Sequence, residues 1–290
     1  MAVLRGDEMK NVFLTKKETA FENYLFDVFI REGYNVYTPG ENTDEKRTAE
    51  VTEKLLSSYK CGTEIDKEKM FVSVKASLAL EDIARNYCVE LLVLNDIDPL
   101  LLKQVGLRPG FTPSPGTEDV MVVPEGDLGG GLASFILGKL SGNHVNYAEL
   151  FYVDAEKGVF HAGHAGPNDY TDPNGKTLIS TDTRFAKSGY KHAGAPFAWH
   201  VISPGEKTLL HISQSGESFK MVTSVVDALD CDHFLAGYSH GILKPRNPIN
   251  EMVTKLANIG VTQHFALTAG NWTGTLSHLA DILGFEFHRI

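Results

Sequence analysis

The chain has 290 residues, with 27 Lys+Arg against 37 Asp+Glu, a formal net charge of −10, and 42% hydrophobic and 22% charged residues. That is globular composition for one large domain or two ordinary ones, and its acidic balance excludes a general nucleic-acid binder, which needs clustered Lys and Arg. No apolar run is long enough to cross a bilayer, so no membrane-spanning helix is expected; the first residues lack the apolar core of a secretory signal; and three cysteines without CxxC spacing (Cys61, Cys88, Cys231) point to a reducing cytosol rather than a disulfide scaffold.

In chain order, Asn11–Thr15 reads as a short strand, Phe21–Glu32 as an amphipathic helix ending at Gly33, and Asn35–Thr38 as a second strand. Residues from about Asp44 to Tyr59 are charged and helix-forming. A longer helix is expected over Phe71–Tyr87, where Leu80, Ile83, Ala84 and Tyr87 fall at i, i+3, i+4 and i+7. Glu90–Leu94 and Asp119–Val123 are continuous apolar runs of the kind found in strands buried on both faces. Strands alternating with helices predict a parallel α/β sheet covered on both sides.

The pattern changes near Ser141-Gly142-Asn143. Short alternating runs at Asn146–Val153, Gly158–Ala162, Lys207–Ser213 and Ser218–Val226 follow one another, with hairpin turns expected at Glu156-Lys-Gly158 and Gln214-Ser-Gly216. They predict an antiparallel barrel or sandwich. Two helices close the chain: one with Asn247 as N-cap, Pro248 at N1 and an apolar stripe of Ile249, Met252, Val253, Leu256 and Ala257, the other built on Leu276, Leu279, Ala280 and Leu283.

Four segments hold candidate chemistry. Glu125 follows the strand run in Val122-Val-Pro-Glu125-Gly-Asp127, at the carboxyl end of a strand, where open α/β sheets bind ligands. Asp127 can cap the next helix. The three glycines Gly129–Gly131 weaken that helix's first turn by roughly 1 kcal/mol each, which a close ligand or chain would justify; equally, Glu125 and Asp127 could simply cap it. Glu149, in Tyr147-Ala-Glu-Leu-Phe-Tyr-Val153, is expected on the side of Tyr147, Phe151 and Val153, where a carboxylate must be paired, protonated or bound to a cation, unless it reaches solvent at a strand edge. His161 and His164 lie among small residues in Phe160-His-Ala-Gly-His-Ala-Gly-Pro167, and His264 lies in an apolar run between the closing helices. All eleven histidines fall at or after His144, which raises the expectation of a metal site because neutral imidazole is the commonest protein metal ligand.

The ordered set resembles the L-fucose isomerase/L-arabinose isomerase family: a Glu-Gly-Asp after a strand (Glu125), a later acid (Glu149), a His with a Pro soon after it (His161, Pro167), and a late His-aromatic-Ala (His264). The resemblance covers essentially the whole chain. It implies a parallel α/β/α sandwich, the family's middle domain, over residues 1–142, and an antiparallel Greek-key β-barrel with closing helices, its C-terminal domain, over 143–290. The family's additional N-terminal domain is expected to be absent. The implied activity is aldose–ketose isomerisation through an enediol, with Mn²⁺ or another divalent cation, in a cytoplasmic homo-oligomer that takes a sugar and contacts neither nucleic acid nor membrane.

Carried over residue by residue, Glu125 and Glu149 would be metal-binding carboxylates and the acid/base groups, His264 the late histidine ligand, and His161 the additional histidine of arabinose-type sites. Glu149 stands where fucose-type enzymes carry Asp. His164 has no assigned counterpart. Two other readings stand beside this one: a non-catalytic sugar- or metal-binding relative that has lost the N-terminal domain, and an unrelated metal hydrolase on a His-rich barrel.

Overall fold

The computed structural model describes residues 43–86, 89–94, 96, 106–115, 120–184, 189–215 and 218–290. The expected strands at Asn11–Thr15 and Asn35–Thr38, the Phe21–Glu32 helix, and Tyr87 and Cys88 lie outside them. The chain forms two compact units. One takes the described residues up to Leu128 with Gly166–Asn168 and Thr177–Trp199; the other takes Gly129–Ala165, Asp169–Lys176 and His200–Ile290.

In the first unit, α1 (Glu45–Ser58) begins where the Asp44 carboxylate accepts hydrogen bonds from the Lys46 and Arg47 amides, at 2.8 and 3.4 Å, a side-chain N-cap. Strand β1 (Lys60–Cys61) follows. Helix α2 (Lys67–Asn86) starts earlier than its apolar repeat indicates, because Asp66 takes the amides of Glu68 and Lys69 in the same way. Strands β2 (Leu91–Val93) and β3 (Met121–Val123) pair in parallel with Leu92 opposite Val122. Leu80 and Ala84 of α2 pack on Val89, Leu92, Val120 and Val122. The parallel pair and its helix match the expectation, but the described residues do not amount to the full α/β/α sandwich. Later in the chain, Leu178 and Ile179 of β6 (Lys176–Thr181) pair in parallel with β1. Pro196–Trp199 of β7 (Pro196–Val201) also belong to this unit.

The second unit is a closed antiparallel barrel of six strands: β4 (Val145–Asp154), β5 (Val159–His164), β8 (Gly205–Ser215), β9 (Ser218–Leu229), β10 (Ser239–Pro245) and β11 (His264–Ala269). Around the barrel the order is β5-β4-β11-β8-β9-β10, and β10 closes it by pairing back with β5. Closure leaves these strands without an open edge. Gly158, at φ 66°, makes the expected β4–β5 turn; residues 216 and 217 of the other expected turn are outside the described set.

Helix α3 (Leu128–Ser141) precedes the barrel, α4 (Ile249–Ile259) connects β10 to β11, and α5 (Thr273–Leu283) leads to β12 (Glu286–Arg289), which pairs in parallel with Lys220–Thr223 of β9. Ile249, Met252 and Leu256 of α4 join Ala148, Phe160, Ala162, Leu209, Val226, Leu243, Phe265 and Leu267 in one core. Pro248, not Asn247, stands at the N-cap of α4, and no side chain caps it. The apolar stripe packs this helix on the core, and Gly260, in the left-handed conformation, closes its far end with its amide bonded to the Leu256 and Ala257 carbonyls.

Two features of the barrel are sterically exacting. At Gly163, β5 and β10 approach so closely that a Cβ would collide with the Ser239 carbonyl oxygen. At Gly175 a Cβ would run into the imidazole of His200, which is fully buried. His144 Nδ1 sits 3.1 Å from an Asp169 carboxylate oxygen. That hydrogen bond raises the His144 pKa against the opposing effect of burial. For Asp169, burial would raise the pKa, but the hydrogen bonds from His144 and Thr171 outweigh it and lower it.

Gly163→Ala is expected to destabilise the barrel by about 2 kcal/mol or more, because backbone rather than a pliable side chain meets the new methyl; urea unfolding checks this. Burial pushes the His200 pKa from 6.5 down to about 4. Between those two values the unfolded chain takes a proton that the folded one refuses, so stability falls as the pH drops toward the lower one. Replacing His200 with Gln should remove about 2–3 kcal/mol of the stability difference between pH 7 and pH 4.5, measured by denaturant titration at the two pH values.

Candidate functional site

Strand register assembles the barrel half of the site. Glu149 on β4 is paired with His264 on β11 on one side and with Gly163 on β5 on the other. Directly opposed residues share a face of the sheet, so the carboxylate and the imidazole stand side by side, with Glu149 Oε2 4.0 Å from His264 Nε2. The glycine leaves the neighbouring position on β5 without a side chain.

The core takes Ala148 and Phe265, so Tyr147, Glu149 and His264 occupy the opposite face. Tyr147 lies between two histidines, its ring 4.6 Å from His164 and 4.7 Å from His264, while the two imidazoles are 5.1 Å apart. Ligand nitrogens of His164 and His264 fall within 4.8 Å of each other. Tyr147, His164 and His264 are all buried.

Hydrogen bonds fix which nitrogen each histidine offers. His164 Nδ1 is 2.6 Å from the Ala165 carbonyl, which can only accept, so Nδ1 carries the proton and Nε2 the lone pair. The Gln263 side-chain amide donates to His264 Nε2 at 3.2 Å, which marks that nitrogen too as a lone-pair carrier. His211 Nδ1 donates to the His264 carbonyl at 2.8 Å and ties β8 to the strand that carries His264. Donors about 2.1 Å from a common ion stand roughly 3–4 Å apart, so the His164 and His264 nitrogens lie near enough to share a metal ion.

The alternation expected along β4 breaks after Glu149. A bulge shifts the register between Leu150 and Tyr152, so Val153 packs on the barrel core instead of sharing Glu149's side, and Phe151 and Tyr152 are exposed. A bulge of this kind re-aims side chains. His161 pairs with Tyr152 across the bulge, and its ring packs against Tyr152 and Phe234 at 5.3 and 5.1 Å. The histidine beside His264 is His164, which the sequence alone left without a role; His161 and His164 share one short strand, and spacing cannot choose between them.

In the first unit, Glu125 lies just past the end of β3 and adopts φ 65°, the left-handed region that an L side chain enters at a cost. Its amide donates to Asp96 Oδ1 at 2.8 Å. Arg108 joins the two carboxylates: Nε is 2.9 Å from Asp96 Oδ2 and Nη2 3.2 Å from Glu125 Oε1, with Arg108 and Asp96 almost wholly buried. Gly166, at φ 79°, lets the chain pass Asp96, whose carboxylate would be 2.9 Å from a Cβ there. Thus one guanidinium and one aspartate fix both the backbone and the carboxylate of Glu125. Nothing in the sequence links Asp96 and Arg108 to Glu125, because they lie 29 and 17 residues before it.

No protein-family model matches the chain. Part of it is similar to the sulfoquinovose isomerase of Priestia aryabhattai, 27% identical over 191 residues, which is 65% of this chain and 41% of that protein. The sulfoquinovose isomerase of Priestia megaterium matches equally, and that of Alkalicoccus urumqiensis is 24% identical over 197 residues, 66% of this chain and 42% of the relative. The chain therefore spans about two fifths of the length of these curated relatives. No helix among the described residues is long and apolar enough to cross a membrane.

Arg108→Met should destabilise the protein by about 3 kcal/mol, since it strips two neighbouring carboxylates of their shared cation, whereas Arg108→Lys should lose less. Denaturant unfolding of both variants measures the difference.

Proposed function

We propose that the chain is an aldose–ketose sugar isomerase, or the metal-bearing part of one, with a divalent ion, Mn²⁺ or similar, bound by Glu125, Glu149, His264 and His164. The observation that carries this reading is the cross-strand pairing of Glu149 with His264 beside a histidine whose Nε2 bears the lone pair. The similarity to proteins named sulfoquinovose isomerase supports the reaction class. His164 takes the place that the family resemblance gave to His161, because it is the histidine whose ring reaches His264. Glu125 enters on its position after β3 and on its clamped backbone, which holds a carboxylate where a glycine would be easier.

A mixed carboxylate–imidazole donor set without thiolate suits a hard-to-borderline divalent ion. Such an ion supplies charge that polarises the sugar's carbonyl and adjacent hydroxyl. The chain's own residues move the protons. One carboxylate takes the proton from C2 of the aldose and returns it to C1, while the second carries a proton from O2 to O1, which balances the exchange. Arg108, bonded to Glu125, holds that carboxylate in place. In this reading residues 1–142 form the α/β domain with its sandwich and 143–290 the barrel domain of a cytoplasmic homo-oligomer whose substrate is a sugar.

Calorimetric titration of metal-stripped protein with Mn²⁺ tests the reading. About one ion per chain is expected to bind the wild type, and Glu125→Gln and Glu149→Gln should each weaken binding at least tenfold with unfolding curves unchanged. Wild-type affinity in both variants, or no binding by any of the three, overturns it.

A further inference from the structure

The bulge in β4 turns Phe151 and Tyr152 out of the barrel, and what surrounds them is more than an exposed pair. On the face that carries Glu149, the next residue pair along β4 and β5 is Tyr152 with His161, since Glu149 pairs with Gly163, and His161 and Gly163 alternate onto the same side of β5. The rings continue without a break: Tyr152 to His161 at 5.3 Å, His161 to Phe234 at 5.1 Å, and Phe234 to His240 at 4.3 Å. Phe151 meets Tyr238 at 5.1 Å.

The segment bearing Phe234 is pinned. His240 Nδ1 donates to the Tyr238 carbonyl at 2.7 Å, and His240 Nε2 accepts the Phe234 amide at 3.1 Å. Both nitrogens of a buried imidazole thus hold the loop that presents the Phe234 ring. Even so, Tyr152 and Phe234 stay 56% and 43% exposed. Rings fixed in place and left half open to water are pre-organised for a ligand.

We infer that Tyr152, His161 and Phe234 form a stacking shelf for the distal carbons of the sugar whose reacting end lies at Glu149 and His264. This rests on the proposed isomerase reading and adds to it a determinant of chain length. Two residues along a strand span roughly 6.6 Å, about the length from C1 to C6 of an extended hexose. Aromatic faces pack against the C–H-rich side of a sugar while its hydroxyls stay in water. The shelf therefore contacts a six-carbon sugar and misses a four-carbon one. Glu149 and His264 supply the chemistry; the shelf positions the substrate.

The test is calorimetric binding of alditols of four, five and six carbons, which lack the carbonyl and cannot turn over, to wild type, Tyr152→Ala and Phe234→Ala in Mn²⁺. The wild type is expected to bind the six-carbon alditol about tenfold more tightly than the four-carbon one. Each variant should lose about three- to tenfold on the six-carbon alditol, little on the four-carbon one, and keep wild-type Mn²⁺ affinity. Mn²⁺ binding with an unchanged chain-length preference in both variants overturns the shelf and leaves the metal reading standing. Loss of Mn²⁺ affinity in the variants would make these rings part of the metal site and also overturns it. Dissociation of an oligomer by either substitution, read by light scattering, would make the patch a subunit interface instead. A wild type that binds neither Mn²⁺ nor any alditol overturns both readings.

Discussion

The candidate site depends on strand register. Glu149 and His264 belong to the first and the last strands of the barrel in chain order, and they become neighbours only because β11, arriving after α4, pairs antiparallel with β4 at one particular offset. A slip of one position would send His264 into the barrel core and bring Phe265 out. Closure of six strands, with the α4 stripe packed into the same core as Phe265 and Leu267, makes that slip costly at every strand at once. The metal reading and the sugar shelf both inherit their geometry from this offset.

The barrel was legible to the degree that its residues alternate. The four strands expected in the second half are present with only their ends shifted, and the closing helices fall where their apolar repeats place them. What alternation could not reveal was the bulge after Leu150. An inserted residue reverses the parity of everything beyond it, so Val153 moved to the core and Tyr152 came onto the Glu149 face. Helix starts were missed for the same local reason: Asp66 caps α2 ahead of its apolar stripe, while α4 forms without the cap that Asn247 offered.

The site was legible in its residue types and less so in its partners. Glu125, Glu149, His161 and His264 stand out from composition and order. The selection of His164 over His161 as the neighbour of His264 needed the packing at a strand end, and Asp96 and Arg108 needed a fold that brings distant residues together. Hydrogen-bonding partners that orient a functional group are as a rule dispersed in sequence, which is why a reading of motifs finds ligands before it finds what holds them.

Glu125 sets an unusual relation between stability and chemistry. It is the only described residue other than glycine with positive φ, so at this position removing the side chain altogether would relax the backbone by roughly 1 kcal/mol. Glycine would, however, also take away a carboxylate that the buried Arg108 binds, so relief of strain comes with the loss of an ion pair. Strain and charge are thus coupled at one residue: the guanidinium that holds the carboxylate also holds the chain in a conformation that only glycine adopts freely.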